Sequence, residues 1–568
     1  MTARHGDRAA DRHAAVTAAR PVSTWAAPRR PSPAQSTRAA LLNALAWATI
    51  IAAPLLPGML SSATSFAVRL PFEIIVLLLL TLALPHATPR RLVAYAFATL
   101  TVVAAVIALL DLAFLATIDR GFAPTEDWRA LINAYRVVED VAGPAIATLA
   151  AVLVVALAFA AIAVIARCAL RCARTLSDAG PRGRVGVASA AVAWSVLAVA
   201  GAQHPSGASF AAADVTTSVS TAAAQAAQSI RDRDAFAEAL REDPLTEQPA
   251  DRLLTALRGK DVVIAFVESY GEVAVSDTGP LAGISRVIDE HAARLTRSGY
   301  RAESAFLTSP TFGGVSWLAH GTLQSGTWVD SQQKYDTLMA SDRLTISRLF
   351  GEVGWRTVAV NPAHTEPWPE GAALYGYDRL LDERALAFDG PAFGFARVPD
   401  QFTWHRFFDD ELSRSGTPIM AEVDLVSSHT PWTPTPQLVP WADVDDPATF
   451  DSQPRDTGED VWSDPERVRA AYAESIQYSL DSTLSFLETY DQPNLVLVLV
   501  GDHQPSRIVS GETADADVPI TIVSKDPAVL ERTREWGWDA GFRPSPDAPV
   551  WRMDAFRDRF VAAFSDAG

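Results

Sequence analysis

Five apolar segments near the amino terminus constrain this 568-residue chain more than any other feature. They lie at residues 40–60, 66–86, 92–117, 142–167 and 186–203. Each is close to the ~20 residues that a helix needs to cross about 30 Å of hydrocarbon. The fifth segment is the weakest, because it is short and rich in alanine. A signal peptide supplies one apolar segment and not five, so the sequence predicts a transmembrane domain of five helices over 39–203.

The distribution of arginine predicts how this domain is oriented. Arginines are concentrated in the tail before the first segment, between the second and third, and between the fourth and fifth. Because loops rich in Lys and Arg stay inside, the tail 1–38 is predicted to be cytoplasmic, and its polar composition indicates disorder. Five crossings then deliver everything after residue 204 to the outside. The sequence therefore predicts a multi-pass protein of the cell membrane with an extracytoplasmic carboxyl-terminal part.

The remainder divides into a helical connector, 204–254, and a large domain, 255–568. The formal net charge is −18, and the acidic residues lie mainly in this remainder, which argues against nucleic acid as a partner. The only cysteines, Cys168 and Cys172, belong to the apolar part, so the large domain has neither a disulfide nor a thiolate metal site. From residue 255 onward, strand-like apolar runs alternate with helical patterns, which predicts an α/β domain.

Two of these apolar runs end in polar side chains. The run Val262–Val267 lacks polar alternation, which is typical of a strand buried on both faces, and Glu268 follows it. The run Leu495–Val500 is followed, after one glycine, by Asp502 and His503. Open α/β sheets bind ligands at the carboxyl ends of their strands, so these three side chains are predicted to meet there.

A third motif, SPTFGGVSWLAHGTLQSG, carries candidate nucleophiles. Thr311 precedes two glycines and a helical pattern that runs to about Gln324. A hydroxyl at the start of a helix lies among free N–H groups and suits a nucleophile for a phosphate or sulfate ester. The same hydroxyl is equally consistent with a helix cap. Ser316 is the alternative nucleophile, but it is expected to lie more than one turn inside the helix.

Together these residues form a candidate metal site. Buried Asp502 and His503 need a partner, and a divalent cation is the natural one. With Glu268 and Thr311 they offer three oxygen ligands and one imidazole nitrogen, a set that suits Mn²⁺ or Mg²⁺ and that Zn²⁺ also accepts. Such an ion would lower the pKa of the Thr311 hydroxyl and neutralise phosphoryl oxygens.

These motifs resemble those of a known family. VVIAFVESYG, TFGGVSWLAHGTLQSG, GYD at 376–378, SSHTPW at 427–432 and LVLVLVGDHQP are similar to motifs of the alkaline phosphatase and sulfatase superfamily. The resemblance is specifically to its membrane branch of lipoteichoic acid synthase-like transferases, which also have five spans before an extracytoplasmic domain. It implies an α/β/α fold with a central, mostly parallel sheet.

The resemblance also implies roles for the metal-site residues. Glu268, Thr311, Asp502 and His503 would hold one divalent ion, with Mn²⁺ in first place and Mg²⁺ or Zn²⁺ as alternatives. Thr311 would be the covalent phospho-acceptor, and its spacing to Gly321 matches that between a sulfatase nucleophile and a helix-ending glycine. That spacing ranks Thr311 above Ser316.

Further residues are assigned by the same resemblance. His429 resembles a substrate-side histidine that protonates a leaving alkoxide or contacts the phosphate, and Trp368 resembles a tryptophan that lines the headgroup pocket. The family pattern places an arginine two positions after that tryptophan, where this chain has Glu370, so the phosphoglycerol headgroup is in doubt. Asp400 is expected to cap the helix that follows it.

The function implied is a metal-dependent phosphotransferase. It would act outside the membrane on a lipid-linked or cell-envelope substrate, with phosphoglycerol or a similar headgroup as the transferred unit and the bilayer as its surroundings. One alternative is a sulfatase or phosphodiesterase, although Thr311 is neither of the residues, Cys and Ser, that sulfatases convert into their nucleophile. The other alternative is an envelope protein that keeps the fold for binding or scaffolding alone.

Overall fold

The computed structural model describes residues 33–61, 69–118, 121–125, 127–204, 207–395, 397–446, 448–453 and 461–566. The amino-terminal part is helical, with α1 Pro33–Ala52, a short helix Leu56–Ser61, α2 Phe72–Ala83, α3 Ala87–Ile118, α4 Trp128–Ala142, α5 Pro144–Asp178 and α6 Pro181–Val199. The predicted cytoplasmic tail lies outside the described residues up to Ser32, and α1 begins within its last residues.

Three helical stretches of the described chain are long and apolar enough to cross a membrane, namely Thr37–Leu60, Ala87–Ala116 and Pro144–Asp178. Apolar side chains on α5, such as Leu149 and Phe159, face outward and are 68 % exposed, as expected of a surface that meets lipid. The second predicted segment forms only the 12-residue α2, and the fifth forms α6, which is outside this group of three. The amino-terminal part is therefore a membrane region, while the number of five crossings stays a prediction.

The connector contains one long helix, α7 Asp214–Ala239, that contacts both parts of the molecule. At its start, Asp214 pairs with Arg69 at 2.8 Å, and the Glu73 carboxylate accepts hydrogen bonds from the backbone and hydroxyl of Thr216. At its end, Phe236 packs with Leu318 and other buried residues of the large domain. Glu73 thus anchors the connector helix at its amino terminus.

A nine-stranded mixed sheet forms the centre of the large domain. Its strands are β1 Asp261–Val267, β2 Arg301–Thr308, β3 Arg356–Asn361, β4 Arg379–Asp382, β5 Ile419–Leu425, β6 Leu495–Gly501, β7 Asp517–Ser524, β8 Asp539–Ala540 and β9 Val550–Arg552. The order is β8-β2-β7-β6-β1-β5-β3-β4, with β9 added to β2. From β6 to β4 every neighbour is parallel, whereas β7 runs antiparallel to both β6 and β2.

Helices cover both faces of this sheet. The longer ones are α8 Ala282–Arg297, α9 Ser316–Ser325 and α10 Pro465–Tyr490, and shorter ones lie at Gln332–Met339, Ile346–Glu352, Pro369–Tyr375, Asp400–Phe407, Pro527–Thr533 and Phe556–Phe564. Val263, Ala265 and Val267 of β1 join the apolar core beneath α8 and α10. Val262, Ile264 and Phe266 join a second core beneath α9. The central strand is therefore buried on both faces, as its unbroken apolar sequence predicts.

Candidate active site

Three adjacent parallel strands place the polar residues predicted to meet. Val267 at the end of β1 is in register with Gly501 of β6 on one side and Leu425 of β5 on the other. Glu268, Asp502 and His503 follow these strand ends, and their ligand atoms lie within 4.8 Å of one another. The structure thus brings together three of the four residues predicted to bind the metal ion.

The ligand atoms of this cluster are held by the backbone. The Nδ1–H group of His503 donates to the Gln504 carbonyl at 2.8 Å, because a carbonyl can only accept, and this leaves Nε2 as the ligand atom. That nitrogen lies 3.2 Å from Glu268 Oε1 and 3.7 Å from Asp502 Oδ2. Asp502 Oδ1 accepts from the Ser269 and His503 N–H groups, both at 2.7 Å. Asp502 Oδ2 has no hydrogen-bond partner among the described residues, although the residue is only 1 % exposed.

The electrostatics of the cluster follow from this burial. Burial and the charge of Glu268 raise the pKa of Asp502 to about 7. Burial would lower the pKa of His503, but the Asp502 charge and the Glu268 hydrogen bond outweigh it and raise that pKa to about 9. Burial likewise opposes ionisation of Glu268, yet His503 leaves the pKa of this carboxyl below its usual range. Protons on His503 and partly on Asp502 therefore balance the charge of Glu268, and a divalent cation bound by these three residues would displace them.

The hydroxyl that joins this cluster belongs to Ser316. Ser316 Oγ donates to Glu268 Oε2 at 2.8 Å and lies 3.3 Å from His503 Nε2. Ser316 is also the first residue of α9, so the expectation that it lies more than a turn inside the helix is wrong. It is surrounded by the free N–H groups and the positive dipole end that were attributed to Thr311.

Thr311 lies outside the cluster. Its hydroxyl donates to the Gly314 carbonyl at 2.5 Å and closes the loop that precedes α9. The next residue, Phe312, forms an isolated β-bridge with Gln504, which lies in the loop after β6. The structure therefore does not bring Thr311 to the three predicted ligands. The helix starts at Ser316, five residues after Thr311, and not at Thr311 itself.

The backbone is strained on both sides of the site. Val315, which precedes Ser316, has φ 67°, and Ser269, which follows Glu268, has φ 59°. Left-handed backbone at residues other than glycine costs of order 1–3 kcal/mol, and for a β-branched valine it is rare. Such strain concentrates at functional sites, where the surrounding structure maintains it.

A cavity of about 540 Å³ opens over the cluster. Its walls include Glu268, Ser316, Asp502, His429 and Trp368, so both residues assigned to the substrate side line it. The His429 ring stacks on Phe395 with centroids 3.7 Å apart, and its Nδ1 contacts the Thr430 carbonyl at 2.6 Å. Trp368 packs its ring edge-on to His364 at 5.0 Å.

Glu370, which stands where the family pattern places an arginine, does not line this cavity. It is the second residue of the short helix Pro369–Tyr375, and its side chain is exposed. The replacement of an arginine by Glu370 therefore leaves the cavity without that arginine but adds no carboxylate to it.

Asp400 has a different partner from the one expected. It does not cap its own helix, since its side chain accepts hydrogen bonds from the backbone N–H groups of Val426 and Ser427 and from the Ser479 hydroxyl. These distances are between 2.6 and 3.0 Å. Asp400 therefore fixes the loop that connects β5 to His429.

The stability of this loop is expected to depend on pH through Asp400. Burial raises its pKa to about 6, against about 4 for an ordinary aspartate, although the hydrogen bonds that it accepts oppose this. The folded state then binds this proton more tightly than the unfolded state does. The contribution of Asp400 to the free energy of unfolding is therefore greatest below pH 4, and it falls by roughly 3 kcal/mol as the pH rises through about 6.

An Asp400→Asn variant isolates this effect, because it keeps an acceptor oxygen but has no titrating proton. We expect the melting temperature of the wild type, relative to the variant, to fall between pH 4 and pH 6.5 and then to level off. A difference that stays constant over that range would contradict the raised pKa.

Three further residues lie in the cavity and were not predicted as a site. His320, Glu422 and Asp424 place their ligand atoms within 4.8 Å of one another. The sequence held two signals for them. His320 follows Ser316 by four residues, one turn of the same helix, and Glu422 and Asp424 interrupt an otherwise apolar strand with a spacing of two.

Comparisons with known proteins give only structural neighbours. No protein family model and no curated protein matches the chain. The solved structures that it resembles include lipoteichoic acid synthase LtaP from Listeria monocytogenes, at 16 % identity and a TM-score of 0.37, with 55 % of this chain and 74 % of that chain covered. They also include a Streptococcus pyogenes phosphoglycerol transferase, GacH, at 14 % identity and a TM-score of 0.34, with 59 % and 91 % covered.

A third neighbour spans the membrane region as well. It is the integral membrane protein lipooligosaccharide phosphoethanolamine transferase A from Neisseria meningitidis, at 12 % identity and a TM-score of 0.43, with 90 % of this chain and 95 % of that chain covered. The neighbours are of the kinds that the motif resemblance named. At such identities and TM-scores they do not establish a shared function, which has to be inferred from the cavity itself.

Proposed function

We propose that this chain is a membrane-bound, metal-dependent phosphotransferase that forms a covalent phosphoserine at Ser316. The observation that carries the proposal is the position of the Ser316 hydroxyl. It lies at the start of α9, 2.8 Å from a buried carboxylate and 3.3 Å from a buried imidazole. A nucleophile needs an activating group within hydrogen-bonding distance and a site for the developing charge, and both are present here.

The metal-binding residues in this proposal are Glu268, Asp502 and His503, with Ser316 Oγ as the fourth ligand in place of Thr311. Their fit to a cation is supported by the unpaired, buried Asp502 Oδ2 and by the orientation of His503 through Gln504. Mn²⁺ is the preferred ion for this oxygen-rich set, with Mg²⁺ and Zn²⁺ as alternatives. When bound, the ion supplies Lewis-acid polarisation of the phosphate and favours the ionised serine.

The protein's own residues supply the remaining chemistry. Ser316 Oγ attacks the phosphorus of a phosphodiester, its proton passes toward Glu268 Oε2, and the bond to the leaving alkoxide breaks. His429 donates a proton to that alkoxide. An acceptor hydroxyl then attacks the phosphoserine and gives its proton to His429, while the bond to Ser316 Oγ breaks and that oxygen regains its proton from Glu268. Water as the acceptor would make the same site a phosphodiesterase.

The substrate in this proposal is a phospholipid or a lipid-linked envelope molecule. Three helices that are long and apolar enough to cross a membrane support a lipid donor, and Trp368 with His364 would line its headgroup pocket. Phosphoglycerol or a similar small headgroup suits a cavity of about 540 Å³. The proposal is tested by incubating the full chain with Mn²⁺ and phospholipid vesicles and measuring released diacylglycerol, a product that a binding or scaffold protein would not form.

An extracytoplasmic location is part of the proposal, and a reporter fusion tests it. The arginine-rich loops predict that the turn at Gly180, between α5 and α6, is inside. Five crossings place the turn at Gly180 inside and the carboxyl terminus outside, whereas with the three crossings of Thr37–Leu60, Ala87–Ala116 and Pro144–Asp178 both would lie on the same side. A reporter active only outside the membrane should be active after Gly568 and inactive at Gly180. The reverse pattern would overturn the orientation.

A further inference from the structure

One helix carries both polar clusters of the cavity. Ser316, His320 and Gln324 are spaced four residues apart, so they form one stripe along α9, and each step of four residues rises about 6 Å along the helix axis. Ser316 meets Glu268, whereas His320 meets Glu422 at 3.0 Å. Gln324 donates to the same Glu422. The second cluster therefore lies about one helical turn from the first.

The strand opposite supplies the two carboxylates. Met420 of β5 belongs to the core beneath α9, and Glu422 and Asp424 follow it with the period of two that keeps side chains on one face of a strand. Asp424 is in register with Phe266 of β1, and the Phe266 ring stacks on His320 with centroids 3.8 Å apart. His320 is therefore held against the strand that carries the acids.

The distances within this cluster match those between ligands of one ion. His320 Nδ1 lies 3.0 Å from Glu422 Oε1 and 3.6 Å from Asp424 Oδ1. Two atoms each ~2.1 Å from a metal ion lie roughly 3.0 Å apart in octahedral geometry and about 3.4 Å apart in tetrahedral geometry. Glu422 is further oriented by the Tyr377 hydroxyl at 3.0 Å, as outer hydrogen bonds orient metal-ligating carboxylates.

Asp424 supplies an independent sign that a ligand is required. Its side chain is 13 % exposed, its Oδ1 atom is buried, and that atom has no hydrogen-bond partner among the described residues. His320 Nδ1 lies 3.6 Å from this atom, which is too long for a hydrogen bond. A carboxylate so placed is costly unless a cation reaches it.

The charge of the whole cavity leads to the same conclusion. Four carboxylates line it, those of Glu268, Asp502, Glu422 and Asp424, whereas no Lys or Arg side chain of the described chain does. With one divalent ion at the first site, Glu422 and Asp424 have only His320 as a counter-charge, and negative charge that His320 does not balance faces the anionic phosphate. Two divalent ions balance four carboxylates.

We infer that His320, Glu422 and Asp424 form a second divalent-cation site, one helical turn from the site at Ser316. Its one nitrogen and two carboxylate ligands suit Mn²⁺ or Zn²⁺. The ion there neutralises the cavity wall beside the phosphate and has no ligand in common with the first. The inference adds to the proposed function but does not depend on Ser316 being the nucleophile.

Ion counting in the full chain tests this inference. The protein, purified in detergent, is stripped with chelator, refilled with Mn²⁺, dialysed and analysed for manganese per chain. We expect about two ions in the wild type, about one in Asp424→Asn and about one in Asp502→Asn, because each variant loses a ligand of a different site. Asp409→Asn, in a partly exposed cluster with His405 and Asp445, is the matched control and should retain both ions.

A comparison of melting temperatures shows whether the Asp424→Asn variant is correctly folded. In chelator, where neither site is filled, Asp424→Asn should melt no lower than the wild type, since it removes a buried like charge. About one ion in the wild type, lost in Asp502→Asn and retained in Asp424→Asn, would overturn the second site and leave the proposed function intact. No bound ion in the wild type would overturn both.

Discussion

Replacing Ser316 with alanine is expected to lower phosphotransfer by roughly 10³- to 10⁶-fold, the range found when a covalent nucleophile is removed. The change deletes the only hydroxyl that contacts both Glu268 and His503 among the described residues. It leaves α9 and the three remaining metal ligands in place, so the protein should still fold. The rate of diacylglycerol release from phospholipid vesicles, with Mn²⁺ present, measures the effect.

The matched control is Thr311→Ala. Its hydroxyl donates to the Gly314 carbonyl, and losing one such bond costs about 1 kcal/mol of stability without touching the reacting atoms. The folded fraction of this variant should keep most of its rate. If Thr311→Ala proved inactive while Ser316→Ala, equally well folded, stayed fully active, the roles assigned to the two hydroxyls would have to be exchanged.

Removal of the metal should have the second largest effect, on both stability and activity. An ion bound only by the folded state stabilises it by about 2.7 kcal/mol at a hundred times its dissociation constant. Chelation is therefore expected to lower the melting temperature by several degrees and to abolish activity, and Mn²⁺ should restore both. Differential scanning calorimetry of the full chain in detergent measures the melting temperature with chelator and after Mn²⁺ is added back.

Asp502→Asn separates binding from a general effect of the chelator. The variant removes the carboxylate whose Oδ2 is buried and unpaired, so it should lose its activity and the part of its response to chelator that comes from the ion at Ser316. Asp409→Asn, in the partly exposed cluster with His405 and Asp445, should respond as the wild type does. An Asp502→Asn variant that binds Mn²⁺ as tightly as the wild type would remove Asp502 from the site.

The sequence was sufficient to predict the central strands, and to predict that three of the four proposed ligands lie close together. β1 and β6 are unbroken apolar runs, and only a sheet covered on both faces buries such runs. Once they are parallel neighbours, Glu268, Asp502 and His503 must lie at the same edge. The antiparallel β7 could not be predicted in this way, because an apolar strand carries no mark of its direction.

The proposed nucleophile, Ser316, could not be ranked first from the sequence, because its position depends on where α9 begins. The pair Gly313-Gly314 indicates a turn, but the turn continues through Val315, whose left-handed backbone is unusual for a β-branched residue. Propensity does not predict such strain. The helix therefore starts at Ser316, and Thr311 remains in the loop.

Contacts between residues that are far apart in the chain also could not be predicted from the sequence. Asp400 stands at the start of a helix, where a carboxylate ordinarily caps the first turn, yet it binds backbone N–H groups of residues 426 and 427. His320, Glu422 and Asp424 come from two elements about a hundred residues apart, and only the register of β5 with β1 shows that they meet.

The most direct test of the account is to find the covalent phosphate. The full chain with Mn²⁺ and phospholipid is quenched in acid within its first turnover and digested with trypsin. The peptide 302–334 contains both Thr311 and Ser316, so fragment ions that separate them are required. We predict a phosphate ester on Ser316, and the mass of any attached group identifies the headgroup. An adduct on Thr311, or diacylglycerol release with no adduct on this peptide, would contradict the account.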